Sequence, residues 1–521
     1  MKALNAARTS SRVLMVFFIF SSLYLFVDAA KLHENLRTAK RFGCFFVFVE
    51  KIYAFLAFFR PFLSSFRIFS VPLQRFLDFY TLLYMEPTPI RKEIVDGLIE
   101  RLGIQDFGKA TIREVKQVAA MAEEQSGVEY IKMEMGIPGL PAAQIGVEAQ
   151  IKALRDGIAS QYPDIQGYPE LKKQASRFVK AFVGIDIAAE GCIPVVGSMQ
   201  GAFASFLTCS QADPKKDTVL FIDPGFPVQK MQLQVQGVKY ETFDVYDYRG
   251  EKLGPKLESY LSKGNICAVI YSNPNNPSWV CLTEDELRTI GELATQYDTI
   301  VLEDLAYFAM DFRKDLSVPF EPPYQPSVGR YTDNYLLLIS GSKAFSYAGE
   351  RIAVVCISDH LFRRHYPALA QRYEGLPFGL VFSTRMLYAL SSGTSHSAQY
   401  ALAEMFRAAC DGEYNFRDEV RVYGNRASRL KEIFLRHGFY VVYDKDLDQP
   451  VADGFYFTIG YPGMTSGELA RELMYYGVSA ICLTTTGSQQ QGLRVCTSFI
   501  EDHQYEQLEE RMKIFENNNK H

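Results

Sequence analysis

From about residue 160 the chain alternates short β-branched apolar runs with amphipathic stretches. The runs 218–222, 239–245, 266–272, 299–302, 335–339 and 352–357 read as strands, and stretches such as 284–297 between them repeat apolar residues at helical spacing. Continuously apolar strands separated by helices predict an α/β domain whose mostly parallel sheet is buried on both faces and flanked by helices. Beyond about residue 385 the pattern turns helical again, with a long helix at 416–437, strands at 439–443, 454–459 and 493–497, and a final helix. That predicts a smaller α+β domain. The stretch 85–135 is polar, with helix candidates at 92–102 and 111–125. The domain reading is therefore a segment 1–84, a helical arm or part of the small domain at 85–159, a large domain at 160–385 and a small domain at 386–521.

Composition divides the chain at the same place. Residues 1–84 hold 11 Lys and Arg against 4 Asp and Glu, 16 of the 39 Phe and a single Gly, Gly43. The whole chain carries −5, so everything beyond residue 84 is acidic, at −12. In the first segment Arg8 and Arg12 precede an apolar run at 13–27, the layout of a secretory signal. The stretch 42–69 has the basic, apolar character of a segment lying on a membrane surface. The same composition fits translation of upstream non-coding sequence, with Met85 as the true start. Contact with a membrane is expected only if residues 1–84 belong to the native protein.

The acidic remainder argues against a nucleic-acid partner. Nine Cys without a C-x-x-C pair, and seven scattered His without H-E-x-x-H, argue against a metal site or a disulfide scaffold. They suit reduced thiols in a cytoplasmic protein.

Ligands of a doubly wound sheet bind beyond the carboxyl ends of its strands. There the sequence places Asn276 in Asn273-Pro-Asn-Asn-Pro-Ser278, Asp304 with Tyr307, and Lys343 in Ser340-Gly-Ser342-Lys343, with Arg351 eight residues on. One rim thus gathers an amine, a carboxylate, a phenol and an amide.

The segment Ser340-x-Ser342-Lys343 through Gly349-Glu-Arg351 resembles the lysine motif of class I/II, fold type I, pyridoxal-phosphate aminotransferases. Six more elements resemble that family in the same order: Tyr162-Pro-x-x-x-Gly167-x-x-x-Leu171, Gly197-Ser198-Met199-Gln-Gly201, Asp223-Pro-Gly-Phe226-Pro, Asn276-Pro-Ser278, Asp304-x-x-Tyr307 and Gly492-Leu-Arg494. The resemblance spans about 130 to 500.

The resemblance implies fold type I, pyridoxal 5′-phosphate, and amino transfer between an amino acid and a 2-oxo acid. It implies Lys343 as the amine that forms the internal aldimine and then shuttles the proton. Asp304 would hold the pyridine nitrogen protonated, Tyr307 and Asn276 would bond the phenolic oxygen, and Phe226 would stack on the ring. Gly197, Ser198 and Met199 would present a helix start to the phosphate, with Ser340, Ser342 and Arg351 completing its shell. Tyr162 would reach the phosphate of a partner subunit, which implies a homodimer with shared active sites. Arg494 would fork onto the substrate carboxylate, helped by Asn276 and the backbone near Gly136.

Trp279, the only Trp, stands where the family has Gly, and reads equally as reshaping the pocket or as core. The S-x-x-K at Ser340–Lys343 also fits penicillin-recognising serine enzymes, but K-T-G and S-D-N partners are absent from the sequence. A carbon–sulfur β-lyase on the same fold, and a non-catalytic aminotransferase-like regulator, are the alternatives to a transaminase. The identity of the amino donor stays open.

Overall fold

The computed structural model describes residues 87–520, all within the second of the chain's two units, Glu86–His521. The readings for residues 1–84 lie outside the described residues.

The large sheet has seven strands: β1 (Cys192–Val195), β2 (Thr218–Asp223), β3 (Lys239–Asp244), β4 (Ile266–Ser272), β5 (Ile300–Leu305), β6 (Tyr335–Ser340) and β7 (Ala353–Ile357). Their order across the sheet is β1-β7-β6-β5-β4-β2-β3. Strands β2 to β6 run parallel, and β7 is antiparallel to both β1 and β6. The central strands are buried throughout, as continuous apolar runs between two helical layers must be. Six of the seven match the hydrophobic pattern. The seventh, β1, is only four residues long and contains Pro194; proline is tolerated there because β1 lies at the sheet edge.

The chain passes from β2 outward to β3 and then returns to place β4 on the other side of β2. That reversal opens a crevice at the carboxyl ends of β2 and β4, where an open α/β sheet binds its ligand.

The smaller sheet has four antiparallel strands, β8 (Tyr440–Val441), β9 (Tyr456–Gly460), β10 (Ile481–Cys482) and β11 (Leu493–Cys496), in the order β10-β11-β9-β8. Helices Lys92–Arg101 and Ile112–Ser126 pack Val95, Leu98, Val115 and Val118 into the same core as Leu430, Leu473 and Phe515. Capping boxes Thr111/Glu114 and Thr465/Glu468 fix two helix starts in this layer. Ile131–Lys132 pairs in parallel with Val478–Ser479, so the segment leading to Gly136 is stitched to this domain. Helix His396–Cys410 lies past residue 385, yet its buried face, with Ala401, Leu402 and Phe406, belongs to the large-domain core.

Candidate active site

Each residue expected at the rim follows from where its strand stops. Phe226 caps the helix Pro227–Gln236 after β2, and Asn276 sits in the turn after β4. Asp304 is the penultimate residue of β5, opposite Ser272 of β4 and Leu338 of β6. Lys343 lies on the short helix Gly341–Ala344 directly after β6.

The Lys343 amine donates to the carbonyl of Gly136 and lies 5.1 Å from the Phe455 ring centroid. Burial is the main cause that lowers its pKa to about 8, and the charges of Arg494 and Arg351 act in the same direction. A neutral amine, the nucleophilic form, is therefore accessible near physiological pH.

Arg494 on β11 is buried. Its Nη2 donates to the Glu134 carbonyl at 2.5 Å and its Nη1 to Asn276 Oδ1 at 3.2 Å. Its Nε has no protein partner, so a buried donor remains for an anionic ligand. Glu134 and Gly136 lie two residues apart, so one backbone segment is held by both Arg494 and Lys343, and Arg494 links it to Asn276.

Asp304 accepts from the Ala306 amide at 3.1 Å and from Gln229 Nε2 at 3.0 Å. Burial raises its pKa to about 6 against these two bonds. A bound cation would hold this carboxyl ionised. Gln229 was not anticipated; it lies one helical turn after Phe226, and only the contact with Asp304 distinguishes it.

A second cluster lies at the start of helix Gly197–Ala212. Gly197 has φ +69°, and a Cβ there would lie 2.6 Å from Arg351 Nη2, so the guanidinium occupies the space glycine leaves open. Arg351 adopts φ +52° and donates through Nη1 to the Ala348 carbonyl. Ser198 Oγ is buried without a partner. Ser340 Oγ accepts from the Ser342 amide at 3.1 Å and keeps its own proton free to donate. The Met199 carbonyl is taken by Gln232. Amides at a helix start, an idle hydroxyl and a guanidinium form a cradle that fits a phosphate dianion. Tyr162 stands apart from both clusters and is 90% exposed.

Tyr307 is buried and its hydroxyl donates to that of Tyr456 at 2.9 Å. Tyr456, on β9, was also missed by sequence reasoning, since nothing in Gly-Phe-Tyr-Phe marks it. Trp279 is fully buried with φ +63°, its ring 5.4 Å from Tyr307 and 6.1 Å from Tyr456, both edge-on. A Cβ at Gly454 would overlap its indole. Trp279 is therefore core packing directly behind the phenols. Among the described residues no cluster of His, Cys, Asp and Glu is arranged to hold a metal ion.

Residues 129–512 match the family model for aminotransferase class I and II. The chain belongs to that family, whose cofactor is pyridoxal phosphate, and it is a transaminase. It is 24% identical over 315 residues to an aspartate aminotransferase of Pyrococcus horikoshii, covering 60% of this chain and 74% of that protein. It is 27% identical over 201 residues to an LL-diaminopimelate aminotransferase of Dehalococcoides mccartyi, covering 37% and 49% respectively. A double mutant of the aspartate aminotransferase of Thermus thermophilus has the same fold, with a TM-score of 0.62 at 18% identity over 80% of this chain and 98% of that one. An alanine aminotransferase of Pyrococcus furiosus also scores 0.62, at 16% identity over 78% and 96%.

Proposed function

We propose that Lys343 is the catalytic amine of this transaminase, and that Asn276, Asp304, Tyr307, Phe226, the Gly197–Met199 turn, Ser340, Ser342 and Arg351 hold the cofactor around it. The observation that carries this reading is a pKa-depressed lysine and a buried carboxyl without a cation at the carboxyl ends of the adjacent strands β6 and β5, with a guanidinium that has an idle donor brought in from β11 of the small sheet and bonded to Asn276. When bound, pyridoxal phosphate supplies an electron sink for the carbanion formed at the substrate Cα.

The protein groups supply the rest. Asp304 stabilises positive charge at the ring nitrogen. The cradle at the start of helix Gly197–Ala212 would hold the phosphate, and the half-buried Phe226 after β2 would offer its ring to the cofactor. Lys343 Nζ, whose neutral form is accessible near physiological pH, would take up and return the proton at the substrate Cα. Arg494 orients the α-carboxylate, so substrates are amino acids and 2-oxo acids as a class.

The 90% exposure of Tyr162 supports a contact with a second subunit, and we assign a homodimer with shared sites. We assign a cytoplasmic location; the eight described cysteines are buried and unpaired, and no described helix is long and apolar enough to cross a membrane. The test is a panel of amino donors against 2-oxoglutarate and pyruvate, with ammonia release followed in parallel. Acceptor-dependent keto-acid formation without ammonia release in the wild type, lost in Lys343→Ala, supports the reading; unchanged keto-acid formation in Lys343→Ala would contradict it.

A further inference from the structure

We propose that Tyr456 is a positioning residue for this site: its hydroxyl sets how strongly Tyr307 donates, and its ring aligns Arg494. The inference rests on the reading above, in which Tyr307 faces the cofactor's phenolic oxygen. The two hydroxyls are 2.9 Å apart, both residues are buried, and the Arg494 guanidinium lies 4.4 Å from the Tyr456 ring centroid. One side chain therefore touches both the residue assigned to the cofactor oxygen and the residue assigned to the substrate carboxylate. Trp279 meets both phenol rings edge-on and limits their freedom to move apart. Glycine is needed at 136, because a Cβ there would run into Tyr456 Oη.

Each phenol has one proton and two lone pairs, so the contact can run in either direction. In this structure Tyr307 is the donor. When Tyr307 turns its proton to an outside oxygen, its own oxygen becomes an acceptor, and Tyr456 is the hydroxyl within reach to supply it. A hydroxyl that accepts one hydrogen bond donates the next more strongly. Stronger donation from Tyr307 stabilises negative charge on the phenolic oxygen. That oxygen then depends less on the proton held at Lys343 Nζ, and the proton leaves at lower pH. Burial raises the Tyr456 pKa to about 12, so its hydroxyl keeps the proton it must donate.

The test is a visible-absorbance titration of the holoenzyme between about pH 5 and pH 10, a range that brackets an amine with a depressed pKa. Tyr456→Phe should raise the midpoint by about half a unit to one unit, the size expected for loss of one polarising hydrogen bond. KM for the amino donor should stay within about twofold, because Phe keeps a ring over Arg494. In a Tyr307→Phe background the second substitution should add no shift, because its effect passes through Tyr307.

An unmoved midpoint in Tyr456→Phe, or a shift that survives in the Tyr307→Phe background, overturns the inference and leaves the site reading standing. A wild-type protein with no visible band overturns the site reading and the inference with it.

Discussion

Arg494 Nη1 donates to Asn276 Oδ1 across 3.2 Å, which ties β11 of the small sheet to the turn after β4 of the large one. The guanidinium is thereby held at the junction of the two domains before any substrate arrives, with Nε free. Preorganisation of this kind spares the ordering cost at binding.

Arg494→Lys removes the planar fork and leaves Asn276 Oδ1 and the Glu134 carbonyl short of a donor. Truncating a buried charged partner costs about 2–4 kcal/mol, so kcat/KM for amino acids should fall by about 30-fold to 1000-fold, chiefly through KM. Steady-state kinetics check this; an unchanged KM would assign the carboxylate to another group.

Gly197→Ala should weaken cofactor binding by about tenfold or more. The new methyl must displace Arg351 Nη2, and φ +69° strains any residue with a Cβ by about 1 kcal/mol. Equilibrium titration of the apoprotein with pyridoxal phosphate measures it, and an unchanged Kd would remove Arg351 from the phosphate cradle.

Asp304→Asn should stabilise the apoprotein while abolishing tight cofactor binding. The folded-state pKa of Asp304 lies at about 6 against an ordinary 3.8, so ionising it costs the fold about 3 kcal/mol above pH 6. Because the folded pKa is raised, that cost is absent below about pH 4, where the group is protonated in both states, and grows as pH rises to about 6. The variant's advantage in urea unfolding should therefore be full at about pH 8 and vanish near pH 4. Equal stability of both proteins at pH 8 would contradict the assigned burial cost.

Trp279→Ala should lower the unfolding free energy by about 3–5 kcal/mol, the usual cost of emptying a large aromatic site. Relief of the positive φ offsets none of this in alanine, which is strained there as well. Urea denaturation followed by far-UV circular dichroism checks it. A loss below about 1 kcal/mol would place the indole outside the core.

The parallel sheet is legible because β2, β4, β5 and β6 are buried on both faces and each carries a run of at least three consecutive apolar residues, broken in β5 by the buried Glu303 and Asp304. Strand β1 escaped notice because four residues and a proline carry no period. Helix His396–Cys410 reads as amphipathic, but its sequence does not say which core its apolar face joins. Lys343, Asp304 and Asn276 stand out in the sequence because they lie at or just after strand ends, and the structure places them after β6, at the end of β5 and after β4. Gln229 and Tyr456 could not, since each acquires its place only through a partner 75 or 149 residues away. Trp279 reads equally as pocket or core in the sequence, and the room that Gly454 leaves for its ring makes it core.

Borohydride reduction of the holoenzyme followed by peptide mass spectrometry asks which amine holds the cofactor. A phosphopyridoxyl label on Lys343 alone, lost in Lys343→Ala, is the expected result; a label on another lysine, or none, would overturn the assignment of Lys343.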